Sequence, residues 1–173
     1  MSTKDRDSSN QDLTQIPSVK GQGYKIHIAV SDWNEDITHS LLDGAKSTLI
    51  ELGVDANDIH VAHVPGTFEL PIAAKSLVSC KNADAVICLG CVIKGETEHD
   101  LFINQSVATA LNQLSIMASK PMIFGVLTVN DLQQAKDRSG GKYGNKGTEA
   151  AMTAVRMVSL LKNLEAPGGK IGF

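Results

Sequence analysis

Hydrophobic residues follow two patterns, and segments with one pattern alternate with segments with the other along the chain. Segments in which apolar positions alternate with polar ones, or run without a break, predict strands, and segments with apolar residues three or four positions apart predict helices. The predicted strands are Tyr24–Val30, Ile59–Val64, Ala85–Ile93 and Pro121–Leu127. The predicted helices are Asp36–Leu52, Phe68–Val78, Glu98–Ser119, Leu132–Arg138 and Thr148–Leu164.

This alternation of strands and helices predicts an α/β fold. Strand–helix–strand units are right-handed and align their strands in parallel, so we expect a three-layer αβα sandwich around a four-stranded parallel sheet, a flavodoxin-like architecture. We assign residues 23–164 to one domain, residues 1–22 to a mobile N-terminal tail and residues 165–173 to a C-terminal tail. In the first tail, Leu13–Val19 is a candidate strand that pairs with a neighbouring copy.

Composition and charge narrow the class of protein. The 173 residues are 42% hydrophobic and 20% charged, which is typical of a globular domain. The net charge of −3 offers no basic surface to nucleic acid or to an anionic membrane. The longest apolar stretch, Ala85–Ile93, is far shorter than the roughly 20 residues that span a bilayer, and residues 1–20 contain no signal segment. We therefore expect a cytoplasmic protein with no nucleic-acid or membrane partner.

The three cysteines do not suggest a disulfide framework or a metal centre. Cys88 and Cys91 match C-x-x-C, but they lie three apart on a predicted strand and so point to opposite faces. We expect buried structural thiols. No set of His, Cys and carboxylate residues has metal-ligand spacing in the sequence, because Glu96, Glu98 and His99 are adjacent rather than convergent. We expect no metal.

Unusual residues follow the first two predicted strands, at the sheet edge where ligands bind in such folds. Trp33 is the only tryptophan of the chain. It is either a flat apolar platform for a ring or a side chain folded back on its own domain. In the next loop, Gly66 permits close approach of the backbone to a ligand. Glu69 is either a ligand-binding carboxylate or a favourable charge at a helix start.

The loops after the third and fourth strands combine glycine with charge. The segment Lys94–Asp100 leads into the long predicted helix Glu98–Ser119, whose free N–H groups can bind an anion. His99, in the first turn of that helix, is either structural or a proton-transfer group. Arg138, one of three arginines, stands before a Gly- and Lys-rich joint. That joint fails the P-loop pattern. Its segment Gly144–Gly147 has the spacing of an RNA-binding KH loop, but the acidic charge and the topology disfavour RNA binding.

Five motifs occur in order at these loops: Trp33-Asn34-x-x-Ile37-Thr38, Val64–Pro71, Leu89–His99, Phe124–Thr128 and Gln134–Ala151. Together they resemble the 6,7-dimethyl-8-ribityllumazine synthase family from about Tyr24 to Leu164. The resemblance implies a transferase of the penultimate step of riboflavin biosynthesis. It would condense 5-amino-6-(D-ribitylamino)uracil with 3,4-dihydroxy-2-butanone 4-phosphate, releasing phosphate and water, with no cofactor.

The resemblance also implies roles for individual residues. His99 would be the catalytic group that moves protons. Residues at the family's phosphate-binding positions are Glu96, Thr97 and, from another subunit, Arg138. Residues at the positions that bind the pyrimidine and its ribityl chain are Trp33, Asn34, Gly66, Thr67, Phe68, Glu69, Val92, Ile93, Lys94, Phe124 and Lys146.

The sequence does not decide between a pentamer and a larger assembly. It also departs from the family pattern at two positions. Family sites lie between neighbours in a homopentamer, and some members build an icosahedral capsid of twelve pentamers; riboflavin synthase is a further candidate partner. Asp100 stands where many members have an aromatic residue, and Trp33 where many have phenylalanine. The competing interpretations are a flavodoxin-like flavin-binding carrier, disfavoured by the Gly-free acidic loop Ser31–Asp36, and a non-catalytic shell protein.

Overall fold

The computed structural model describes residues 20–166, and the longest strand among them is β3 (Ala85–Ile93). This strand pairs with β1 (Ile26–Ser31) on one side and with β4 (Met122–Val129) on the other. β2 (Val61–Val64) pairs with the outer side of β1, so the order is β2-β1-β3-β4 and all four strands are parallel. The arrangement is flavodoxin-like and confirms the predicted fold class.

Helices cover both faces of the sheet because each of them buries apolar residues against it. They are α1 (Glu35–Glu51), α2 (Leu70–Lys81), α3 (His99–Ala118), α4 (Leu132–Arg138) and α5 (Lys146–Glu165). One core lies between the sheet, α1 and α5, and the other lies under α2 and α3. Within residues 20–166, none of these helices combines the length and apolar character that a membrane crossing requires.

The predicted elements are present, and no end moves by more than three residues. α5 begins two residues earlier than predicted because the side chain of Asn145 accepts hydrogen bonds from the backbone nitrogens of Gly147 (2.8 Å) and Thr148 (3.3 Å), which caps the helix. The Gly-rich joint before α5 contains a small antiparallel hairpin that was not predicted, β5 (Ser139–Gly141) and β6 (Gly144–Asn145). Strands of two or three residues are too short to show a hydrophobic period.

The cysteines are placed as predicted. Cys88 and Cys91 are buried in the two different cores, on opposite faces of β3, and all three cysteines are free thiols. Burial raises the pKa of Cys88 to about 12 and that of Cys91 to about 11. Neither thiol is therefore suited to redox chemistry, which requires a readily formed thiolate.

The start of the described chain packs against the domain. Gly21 is buried, and its backbone nitrogen donates to the carbonyl oxygen of Leu52 over 2.7 Å. Packing thus extends two residues before the predicted domain start at residue 23. The predicted strand Leu13–Val19 and all but the first two residues of the predicted C-terminal tail lie outside the described residues.

Candidate active site

An open cleft of about 710 Å³ lies at the carboxyl ends of β1, β2 and β3, beside the first turn of α3. Its volume is within the range of small-molecule sites, about 300–1,000 Å³. Predicted site residues that line it are Trp33, Asn34, Gly66, Thr67, Phe68, Glu69, Val92, Ile93, Thr97 and His99. Lining residues that were not among the predicted site residues are Cys91, Gly95, Asp100, Phe102 and Ile103.

The aromatic wall of the cleft is held by the ends of β1 and β2. The backbone nitrogen of Asp32 donates to the carbonyl oxygen of Val64 over 2.8 Å, and that of Trp33 donates to Pro65 over 3.2 Å. The indole of Trp33 is not folded back on the domain: the residue is 72% exposed and lines the cleft. A large flat apolar surface is thus available for a planar ring.

Asn34 links this wall to the central strand. Its side-chain nitrogen donates to the carbonyl oxygen of Cys91 over 2.9 Å. The residue has a φ of 63°, in the left-handed region that asparagine tolerates better than most side chains. It begins α1, so one residue turns the chain into the helix and ties the loop to β3.

The floor of the cleft is a short 3-10 turn, Thr67–Glu69, that precedes α2. Thr67 is buried and sits over Gly90 of β3: a Cβ on Gly90 would lie 2.7 Å from the hydroxyl oxygen of Thr67. A Cβ on Gly66 would lie 3.0 Å from a carboxylate oxygen of Glu69. The glycines therefore let the turn sit close to the sheet and let the Glu69 carboxylate fold back over the turn.

The opposite wall is the start of α3. The hydroxyl of Thr97 accepts a hydrogen bond from the backbone nitrogen of His99 over 3.4 Å, and the exposed His99 side chain lines the cleft. The N-terminal end of a 20-residue helix carries partial positive charge, so this wall favours an anion. Phe102, three residues after His99 on the same face of α3, is a cleft residue that helical spacing could have revealed.

Several predicted site residues are not part of this cleft. Lys94 and Glu96 are exposed on the loop after β3 and are not among the lining residues. Phe124 pairs in register with Cys88, well before the carboxyl end of β4. The guanidinium of Arg138 lies 4.9 Å from the centre of the Tyr143 ring, and the Lys146 ammonium contacts Glu149 over 2.8 Å. Phe124, Arg138 and Lys146 thus belong to β4, α4 and α5, and one chain does not bring all the predicted residues together.

A cluster that the sequence did not reveal lies next to Trp33. Asp32, His39 and His63 each offer one potential metal-ligand atom, and these atoms lie within 4.8 Å of one another. The three residues come from the end of β1, from α1 and from β2, so no spacing along the sequence connects them.

Comparisons with known proteins agree with the sequence motifs. The sequence model of the 6,7-dimethyl-8-ribityllumazine synthase family matches residues 23–162. A 6,7-dimethyl-8-ribityllumazine synthase from Porphyromonas gingivalis is 47% identical over 160 residues, which is 92% of this chain and 98% of that protein. A protein of the same name from Parabacteroides distasonis is 44% identical over 159 residues, with coverage of 92% and 98%.

Proposed function

Because this chain belongs to the 6,7-dimethyl-8-ribityllumazine synthase family, we propose that its cleft is where it condenses 5-amino-6-(D-ribitylamino)uracil with 3,4-dihydroxy-2-butanone 4-phosphate. The chain is a transferase of riboflavin biosynthesis, as the motifs predicted. The family match does not favour the flavin carrier or the non-catalytic shell protein. One observation carries the proposed site: an aromatic surface, a carboxylate, a helix N-terminus and an imidazole face the same cleft.

The pyrimidine substrate would bind on the Trp33 side. The indole stacks on the pyrimidine ring, and the backbone of Val92 and Ile93 contacts the ring edge. Glu69, with Gly66 and Thr67 beside it, accepts hydrogen bonds from the ribityl hydroxyls. A carboxylate accepts bonds from hydroxyl donors without any proton transfer, which suits a group that positions rather than reacts.

The phosphate substrate would bind at the start of α3. Thr97 would contribute its hydroxyl beside the positive end of the helix. Glu96 is not a lining residue, but it lies between Gly95 and Thr97, which are, so its backbone N–H would contribute as well. His99 is the first residue of α3, two residues after Thr97, so its imidazole would lie close to the carbonyl group that the amine attacks. It would then move protons while the imine forms and while phosphate leaves.

Positioning contributes more to the rate than proton transfer does in this proposal. General acid–base catalysis typically raises the rate of a reaction by about 10²–10⁴-fold. Holding two reactants in a reactive geometry can supply about 7–11 kcal/mol. We therefore expect His99→Ala to slow the reaction without abolishing it.

Phe124, Lys146 and Arg138 would enter the cleft from a neighbouring copy, in a homopentamer. The separation of these residues from the cleft within one chain supports this arrangement. A second support is the apolar surface that one chain leaves exposed, which in proteins commonly marks an association site. Its large members in and around α3 are Phe68, Ile72, Leu101, Phe102, Ile116 and Met117. We propose further that the pentamers associate into an icosahedral capsid and that the protein contacts riboflavin synthase. We also propose a cytoplasmic location, because a reducing compartment suits three free thiols.

A subunit-mixing experiment tests the shared site. His99→Ala removes a residue of the cleft, and Arg138→Ala removes the residue expected from the neighbour. We expect each variant alone to make product slowly at low concentrations of the phosphate substrate, Arg138→Ala through a raised KM. After the two are unfolded and reassembled together in equal amounts, about one quarter of the interfaces pair an intact cleft with an intact neighbour. Activity should rise to about that fraction of reassembled wild type.

The matched control mixes His99→Ala with Glu69→Ala. Both residues line the cleft of the same chain, so no mixed interface contains a complete site and activity should stay low. Equal recovery in both mixtures, or full activity of a monomer seen by light scattering, would contradict a site shared between subunits. If the unmixed wild-type protein forms no product, the proposed reaction is wrong.

A further inference from the structure

The cluster of Asp32, His39 and His63 combines two imidazoles and a carboxylate on the outer side of the sheet edge. Asp32 and His63 are hydrogen-bonded, with 2.8 Å between a carboxylate oxygen and Nδ1. The rings of His39 and His63 meet edge to face, with their centres 5.9 Å apart. Glu35 lies beside them, with a carboxylate oxygen 3.7 Å from Nδ1 of His39.

The fold holds the three side chains together by its backbone. The nitrogen of Asp32 donates to the carbonyl oxygen of Val64, the residue after His63, so the ends of β1 and β2 are held side by side. His39 lies in the second turn of α1, which begins at Glu35, two residues after Trp33. Three elements thus converge at one point, and each contributes one side chain.

The distances suit a divalent transition metal. Zinc binds imidazole nitrogen at about 2.0–2.1 Å and carboxylate oxygen at about 2.0–2.2 Å, which places tetrahedral ligand atoms about 3.3 Å from one another. The ligand atoms here lie within 4.8 Å of one another. Their side chains are about half exposed, so small rotations can close the remaining distance without disturbing the core.

The donor set also selects the class of ion. Imidazole ligands favour Zn²⁺, Cu²⁺, Ni²⁺ and Fe²⁺ over Ca²⁺ and Mg²⁺, which prefer oxygen ligands. Two histidines with one carboxylate leave at least one position for water, or for Glu35 as a further ligand. We propose that Asp32, His39 and His63 form a binding site for a divalent transition-metal ion, for which Zn²⁺ is the probe.

This site is separate from the proposed catalytic cleft, and its existence does not depend on the reaction assigned to that cleft. It is nevertheless next to it, because Asp32 directly precedes Trp33. A bound ion would join the ends of β1 and β2 to α1 and would restrict the loop that carries the indole. The chain contains no other tryptophan, so its fluorescence reports on this loop alone.

Binding is measured on the tag-free full-length protein after removal of metals with a chelator. Zn²⁺ alone is titrated in competition with a chromophoric chelator, and Co²⁺ alone is titrated while the fluorescence of Trp33 is recorded. We expect about one Zn²⁺ per chain, and quenching by Co²⁺ because an open-shell ion would lie one residue from the indole. Loss of a group that merely hydrogen-bonds to a metal ligand weakens metal binding by about 10- to 100-fold. Because His39 and His63 would be ligands themselves, His39→Gln and His63→Gln should each weaken Zn²⁺ binding by at least about 10-fold.

The control variants change a histidine and a thiol outside the cluster. His60→Gln and Cys80→Ser should keep both the Zn²⁺ affinity and the Co²⁺ quenching. Absence of Zn²⁺ binding by the wild-type protein in the micromolar range would overturn the proposal, whatever the variants do. Unchanged binding in the doubly substituted His39→Gln, His63→Gln protein, folded by circular dichroism, would overturn it as well.

Discussion

The side-chain nitrogen of Asn34 donates to the backbone carbonyl oxygen of Cys91 over 2.9 Å, and this bond ties the loop that carries Trp33 to the central strand. The bond crosses from the first strand–helix loop to the end of β3, and both residues line the cleft. This side-chain amide ties the aromatic wall to β3, in addition to the backbone hydrogen bonds that tie it to the end of β2.

Substitutions at Asn34 separate this hydrogen bond from the left-handed backbone. Asn34→Gly keeps the φ of 63° without strain but loses the donor, and we expect it to lower the free energy of unfolding by about 1 kcal/mol. Asn34→Ala loses the donor and strains the backbone, and it should lower that free energy by about a further 1–2 kcal/mol. Denaturant unfolding measures both values. Equal stability of the two variants would show that the left-handed backbone of this residue is not costly to replace.

The contact of Thr67 with Gly90 predicts a pair of compensating substitutions. A Cβ on Gly90 would lie 2.7 Å from the hydroxyl oxygen and 3.1 Å from the methyl carbon of Thr67. Gly90→Ala should therefore displace the turn that carries Glu69, which lowers the melting temperature and raises the KM for the pyrimidine substrate. Adding Thr67→Ala removes both clashing atoms and should restore part of the melting temperature, because substitutions in contact are not additive.

Gly125→Ala is the matched control for this pair. Its Cβ would meet the side chain of Leu89 at 2.6 Å and the carbonyl oxygen of Cys88 at 3.1 Å, away from the cleft. Gly125→Ala should lower the melting temperature, and adding Thr67→Ala should not restore it. If Thr67→Ala improves the two glycine variants equally, the contact with Gly90 is not the cause.

The three cysteines should differ sharply in reactivity. Cys80 is exposed, whereas burial raises the pKa of Cys88 to about 12 and of Cys91 to about 11. Only the thiolate reacts with a disulfide reagent, so the native protein should show one fast thiol and the unfolded protein three. Cys80→Ser should remove the fast phase. A fast phase that survives in Cys80→Ser would show that Cys91 is reached through the cleft, contrary to this expectation.

His27 predicts loss of stability in mild acid. The buried ring accepts a hydrogen bond at Nδ1 from the backbone nitrogen of His60 over 3.2 Å, and Nε2 lies 3.2 Å from the carbonyl oxygen of Lys81, so the neutral form is fully paired. Burial, with a smaller effect of nearby His60, lowers the pKa of His27 below 6.5, and the hydrogen bond to Lys81 partly opposes this. The unfolded chain therefore takes up the proton first as the pH falls. The free energy of unfolding should decrease below pH 6.5, with a slope of at most about 1.4 kcal/mol per pH unit from this group.

The check is a series of denaturant unfolding curves between neutral and acid pH. His27→Gln should lower stability at neutral pH but flatten the pH dependence, since the titrating ring is gone. Ser76→Ala, which changes an exposed side chain that has no ionisable group, should keep the slope of the wild-type protein. An unchanged slope in His27→Gln would assign the acid sensitivity to other groups.

The sequence by itself determined the layered sheet and the position of each of its strands and helices. Ala85–Ile93 reads as a strand covered on both faces, and it is buried on both. Local pattern was sufficient because the period of apolar residues is imposed by the same faces that the fold buries. The hairpin of β5 and β6 was missed because its strands are too short to show such a period.

Only the tertiary structure decided which side chains meet. It brought Trp33, Glu69 and His99 to one cleft and left Phe124, Arg138 and Lys146 outside it, whereas the resemblance to the family implied one site for all six, with Arg138 from another subunit. It also joined Asp32, His39 and His63, which no spacing along the chain connects. The physical reason is that periodicity records which face of an element is buried, whereas a site depends on the order of strands in the sheet and on the loops that bring their ends together.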